Sequence, residues 1–126
     1  MLVSVADKAK AWFAESVEPF GLPPHLARAI LFLDTPAPMR GLAEQLRCDR
    51  SYITGLADEL EDRGLITRVP GEDRRVKLLA LTPAGIELRD RVAEAVGENA
   101  LVMQRLDEAE RARLERLLVR LVDASD

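Results

Sequence analysis

Residues 39–81 read MRGLAEQLRCDRSYITGLADELEDRGLITRVPGEDRRVKLLAL, and the fold is decided inside this run. Leu42, Ala43 and Leu46 fall on one face at helical spacing, which predicts a short helix from Met39 to Leu46. Arg47-Cys48-Asp49 leaves room only for a tight connection. Asp49 suits an N-cap, and Ile53, Leu56, Ala57 and Leu60 give the next helix, Arg50 to Arg63, an inward apolar stripe. Gly64 stops it. Residues 65–69 and 76–81 are rich in aliphatic side chains and read as strands, with Pro70 and Gly71-Glu72-Asp73-Arg74-Arg75 between them. Two helices across a tight turn, followed by a hairpin, make a winged helix-turn-helix.

Outward from this run the chain stays helical. Leu2, Val5, Ala6, Ala9, Trp12, Phe13 and Val17 repeat at three-to-four spacing and predict an amphipathic helix over 2–18. Gly21-Leu22-Pro23-Pro24 breaks it. A second helix is expected from Pro24 to Leu33, ended by Asp34-Thr35-Pro36-Ala37-Pro38. After the hairpin, Thr82-Pro83 supplies a hydroxyl cap and a first-turn proline for a long helix to about Gln104. Gly85 and Gly97 lower its propensity without ending it. Asp107-Glu108-Ala109-Glu110 has the form of a capping box, and Leu114, Leu117, Leu118, Leu121 and Val122 share one side of the last helix. The expected fold is mainly α with a two-stranded β wing, in a single domain over residues 1–126.

Composition narrows the chemistry. Hydrophobic residues make up 48% of the 126, yet aromatics only 4%, so aliphatic side chains must fill the core. No apolar run approaches the ~20 residues that span a bilayer, and the N-terminus lacks the pattern of a signal peptide. The expected compartment is the cytoplasm, with no membrane partner. Cys48 and His25 are the only cysteine and histidine, which excludes an internal disulfide and any metal site built on several of these residues. No glycine-rich phosphate loop is present either, so neither a cofactor nor catalysis is expected. Cys48, in the turn between the motif's helices, reads as a packing residue.

A net charge of −4 argues against nucleic acid, because affinity for phosphate comes from Lys and Arg. Distribution matters more than total. Between residues 39 and 77 eight cations and eight acids cancel, so the excess of acid lies outside the motif. With its apolar stripe turned inward, the helix after Asp49 presents Arg50, Ser51, Thr54, Gly55 and Asp58 outward, with Tyr52 near the edge. Ser, Thr, Tyr and Arg reach phosphates or base edges, and Gly55 allows close backbone approach in a major groove. In the hairpin, Asp73 can hold the guanidinium of Arg75, stiffening the tip so that Arg74 and Arg75 reach beyond it. A narrow minor groove attracts such arginines.

Residues 39–85 resemble the MarR family of bacterial transcriptional regulators. The resemblance is carried by Leu42-Ala43, Asp49, Ser51, Thr54, Leu60-Glu61, Arg63-Gly64-Leu65-Ile66, Arg68, Asp73-x-Arg75, Leu81-Thr82 and Gly85. It implies a homodimeric repressor that binds a pseudo-palindromic double-stranded operator. Residues 1–20 and 83–126 would form the dimerisation helices, and 24–81 the DNA-binding lobe. By the same resemblance Ser51, Tyr52, Thr54 and Gly55 face bases, Arg50 touches base or phosphate, and Arg75 is the wing arginine, with Asp73 as its partner and Arg74 on a phosphate. It further implies a small amphipathic or aromatic effector in a crevice beside the dimer helices, which Trp12, Phe13, Phe20, His25, Arg28 and Phe32 would border.

The chain departs from the family pattern where Gly55 and Glu59 replace common basic residues. Asp58, Glu59, Glu61 and Asp62 make the second half of the reading helix acidic. That run favours an alternative reading, a winged-helix protein-interaction module without DNA binding. The chain also starts close to its first helix, so a shortened N-terminal dimerisation arm is expected.

Overall fold

In a computed structural model the described residues are 1–123, with Asn99, Leu101 and Met103 described by their backbone alone. Helix α1 spans Leu2–Val17 and passes through a 3-10 turn, Glu18–Phe20, into α2, Pro24–Leu31. Strand β1, Ala37–Pro38, leads directly into α3, Met39–Leu46. Helix α4 covers Arg50–Asp62, and the hairpin is β2, Ile66–Pro70, with β3, Lys77–Leu81. Helices α5, Pro83–Asn99, α6, Leu101–Arg105, and α7, Glu108–Asp123, complete the chain.

The core is built from one or two large side chains per element. Val17 of α1, Leu26 and Ile30 of α2, Leu42 of α3, Ile53 and Leu60 of α4, Leu79 of β3 and Val92 of α5 are all fully buried. The helix-turn-helix stripe predicted from spacing is therefore the stripe that packs. The antiparallel sheet has the order β1-β3-β2, with Ile66 opposite Leu81 and Arg68 opposite Leu79. Its third strand is an addition to the expected two-stranded wing: Ala37 pairs with Leu79 and Pro38 with Leu78. A proline is tolerated there because β1 is an edge strand.

Turn chemistry sets the angles between elements. Arg47 ends α3 in the left-handed region, φ 54°, and the Cys48 N–H reaches back to the Ala43 carbonyl at 3.1 Å. The Arg47 guanidinium then donates to the Val122 carbonyl near the end of α7, at 3.2 Å. Gly64 ends α4 at φ 74°, a conformation that favours glycine, and the Leu65 N–H returns to Leu60 at 3.0 Å. The start of α5 is locked onto this turn. The Thr82 hydroxyl donates to the Gly64 carbonyl at 2.7 Å and accepts from the Gly85 N–H at 3.1 Å. A Cβ on Gly85 would collide with the Leu65 carbonyl oxygen.

Helices α1 and α4 each end one residue before their expected ends, and two others depart further. Helix α2 stops at Leu31 rather than Leu33, and the long helix breaks at Ala100, whose φ −58° and ψ 127° separate α5 from α6. The capping box forms as read: Asp107 accepts from the Glu110 N–H at 2.8 Å, and Glu110 from the Asp107 N–H at 3.0 Å. Helix α7 buries none of its residues, and Leu117, Leu118, Leu121 and Val122 are exposed. The expected segment 83–126 runs on to residues 124–126, which lie outside the described residues.

Candidate nucleic-acid interface

The outward face of α4 begins at its cap. One Asp49 carboxylate oxygen accepts the Tyr52 N–H at 2.8 Å and the Ser51 hydroxyl at 2.9 Å. The Tyr52 N–H above all, then the Ser51 hydroxyl, holds the Asp49 carboxyl below its ordinary value of 3.8. The Thr54 hydroxyl donates to the Arg50 carbonyl at 3.0 Å. Both hydroxyl oxygens keep lone pairs that can accept from a base amine, and either O–H can rotate away to donate. Tyr52 is half exposed, and no atom lies within 4 Å of where a Gly55 Cβ would stand. A duplex can approach the α4 backbone closely there.

The acidic half of α4 is braced. Arg68 on β2 donates to Asp58 at 2.7 Å and lies 3.7 Å from Glu61. His25, at the start of α2, sets its Nε2 3.6 Å from a Glu59 oxygen. Three of the four acids that counted against phosphate binding therefore face a basic group from another element. Sequence reasoning set His25 at a ligand crevice and gave Arg68 and Glu59 no site role, so it did not bring these three to the flank of α4. The Arg68 pairings had a legible signal, since opposite charges on one helix face and the following strand invite contact.

The wing has the geometry its spacing suggested. The Val76 N–H donates to the Asp73 carbonyl and the Gly71 N–H to the Val76 carbonyl, both at 2.9 Å, closing the tip. The Asp73 carboxylate accepts the Arg75 N–H at 3.0 Å and the Arg75 Nε–H at 3.4 Å. The Arg75 side chain is nevertheless 92% exposed, so it is aimed by its partner rather than covered by it. Arg74 beside it is also exposed.

The six residues expected to border a ligand crevice do not form one cluster. Trp12, Phe13 and Arg28 line a surface cleft of about 500 Å³ with Ala9 and Lys10. The Trp12 and Phe13 rings meet edge to face at 6.4 Å, and the Arg28 guanidinium sits 5.9 Å from the Phe32 ring. Arg28 also donates to the Leu46 carbonyl at 3.5 Å, which joins the cleft to the end of α3. Phe20 instead lies beneath Arg91, at 5.3 Å, and His25 faces Glu59 and Tyr52. Cys48 is partly buried, with its thiol 4.0 Å from the Ala43 carbonyl, in keeping with packing. Among the described residues no group of His, Cys, Asp and Glu has metal-binding geometry, and no helix is long and apolar enough to cross a membrane.

Known proteins share this arrangement. A model of the MarR family matches residues 30–77. A Thauera aromatica protein assigned to transcriptional regulation of the hcr operon is 39% identical over 82 residues, 64% of this chain and 49% of its own. The chain thus spans about half the length of that relative. The crystal structure of a Pseudomonas aeruginosa protein described as a probable transcriptional regulator is 31% identical, with a TM-score of 0.77 over 95% of this chain and 92% of that one. CouR from Rhodococcus jostii RHA1, crystallised with p-coumaroyl-CoA, is 26% identical with a TM-score of 0.80, covering 99% of this chain and 91% of its own.

Proposed function

The chain belongs to the MarR family, and from that premise we propose that it is a homodimeric, sequence-specific repressor of transcription in the cytoplasm. Residues 24–81 are the lobe that binds double-stranded DNA, and 1–20 with 83–126 are the dimerisation helices. In the major groove Ser51, Tyr52, Thr54 and Gly55 face bases, and Arg50 touches base or phosphate. Arg75 enters the adjacent minor groove, held by Asp73, while Arg74 meets a phosphate. The observation that carries this reading is the Asp73–Arg75 pair, which leaves an exposed guanidinium oriented from both its backbone and its side chain.

The interaction-module reading rested on the acidic half of α4. Pairing of Asp58 and Glu61 with Arg68, and of Glu59 with His25, removes most of that support. The cleft at Trp12 favours release by a small aromatic anion. Its aromatic wall offers stacking, Lys10 and Arg28 offer charge, and CouR binds an aromatic acyl thioester. Catalysis has no part in this scheme.

Gel-shift titration of purified protein against the promoter region beside its own gene tests the proposal. Salt-sensitive binding to one palindromic fragment is expected. Equal, weak binding to every fragment, or none, would overturn it.

A further inference from the structure

On the flank of α4 lies a hollow of about 240 Å³, lined by His25, Ser51, Tyr52, Gly55, Leu56 and Glu59. Its floor is the buried Leu56, and Gly55 contributes no side chain to fill it. Its one carboxylate is Glu59, half exposed at 52% and held from α2 by His25 at 3.6 Å. The His25 and Tyr52 rings, 6.5 Å apart, flank the opening. A carboxylate at the protein–DNA boundary costs affinity against phosphate unless it meets a donor. The hollow shares Ser51 with the hydroxyl-bearing turn of α4, and His25 meets only one Glu59 oxygen, which leaves the other for a base amine.

We infer that this hollow is a base-reading pocket in which Glu59 accepts the exocyclic amine of a cytosine and so sets the preference at one position of each half-site. The inference rests on the function proposed above. Cytosine shows a major-groove donor with no acceptor beside it on the same base, whereas adenine sets its N7 acceptor next to its amine, which a carboxylate repels. A carboxylate has two oxygens, so a contact from His25 leaves acceptor capacity for the amine. His25 is a positioning residue: its Nε2, 3.6 Å from a Glu59 oxygen, favours the Glu59 orientation that faces the hollow. The open space at Gly55 lets the base approach without displacing a side chain.

The test is parallel selection from a randomised duplex library with the full chain and with Glu59→Gln, Glu59→Ala, His25→Gln and His25→Leu, each checked for an unchanged melting temperature. The unaltered protein is expected to enrich cytosine at one position per half-site by about tenfold. Glu59→Gln should move that preference to adenine, which a carboxamide pairs through N6 and N7. Glu59→Ala should abolish the preference there and leave the other positions as they were. His25→Leu should blur that position alone, and His25→Gln, which keeps a donor, should restore part of it. If Glu59→Ala selects the same sequence as the unaltered protein, the pocket does not read a base. If the unaltered protein selects no sequence, the proposed function itself fails.

Discussion

Arg75 shows how little a residue has to touch to be held in place. Its backbone N–H and its Nε–H both end on one Asp73 oxygen, while the side chain stays in solvent. Such an exposed pair adds little to folding. Arg75→Ala should therefore leave the melting temperature nearly unchanged, yet weaken operator binding by ~1–3 kcal/mol and lower the salt slope by about one. Calorimetry beside gel shifts at several salt concentrations separates the two effects. Asp49 is the converse case, a residue of the reading helix whose work is structural. Its folded carboxyl lies below 3.8, so its cap is fully present above that value and is lost as pH falls through the lowered one. Asp49→Ala should melt at a lower temperature than the unaltered chain at neutral pH. The gap should close as pH drops below 3.8, which circular dichroism melts across the range will register.

Among the elements, local chemistry was legible and long-range chemistry was not. Helix α3 runs over the eight residues its apolar spacing marked, and α4 starts where Asp49 caps it. The Asp73–Arg75 pair could be foreseen because its members are two positions apart. His25 and Glu59 could not be joined from sequence, since only the packing of α2 on α4 brings them together. Strand β1 was hidden because two prolines around Ala37 read as a helix stop, and an edge pairing leaves no periodic trace. The break at Ala100 has no proline or glycine at the site to announce it. Glycines make the same distinction between local and tertiary causes. Gly85→Ala pushes a methyl into the Leu65 carbonyl and should destabilise the protein by about 1–3 kcal/mol. Gly55→Ala meets open space in the middle of a helix and should stabilise it by about 0.5–1 kcal/mol. Chemical denaturation of both variants checks the pair.

At the scale of the whole molecule, most of the exposed large apolar side chains among the described residues lie on the terminal helices. Val102, Leu114, Leu118, Val119 and Val122 line a groove of about 470 Å³ between α6 and α7, and Leu2, Val3 and Val5 are exposed on α1. A surface of this kind calls for a second copy. Leu118→Arg should convert the protein to a monomer in analytical ultracentrifugation. Losing simultaneous engagement of two half-sites should then cut operator affinity about 10²-fold or more.

The Arg47–Val122 bond joins the turn of the DNA-binding motif to that same terminal helix, and only one of its ends is a side chain. A main-chain acceptor is indifferent to mutation at its own position. The side chain at 122 answers to the apolar groove it lines, while the bond asks of that position only its carbonyl, so Arg47 has no side chain there to pair with. Searches for correlated substitutions are blind to a contact of this kind, because only one of its two ends is written in the side-chain sequence.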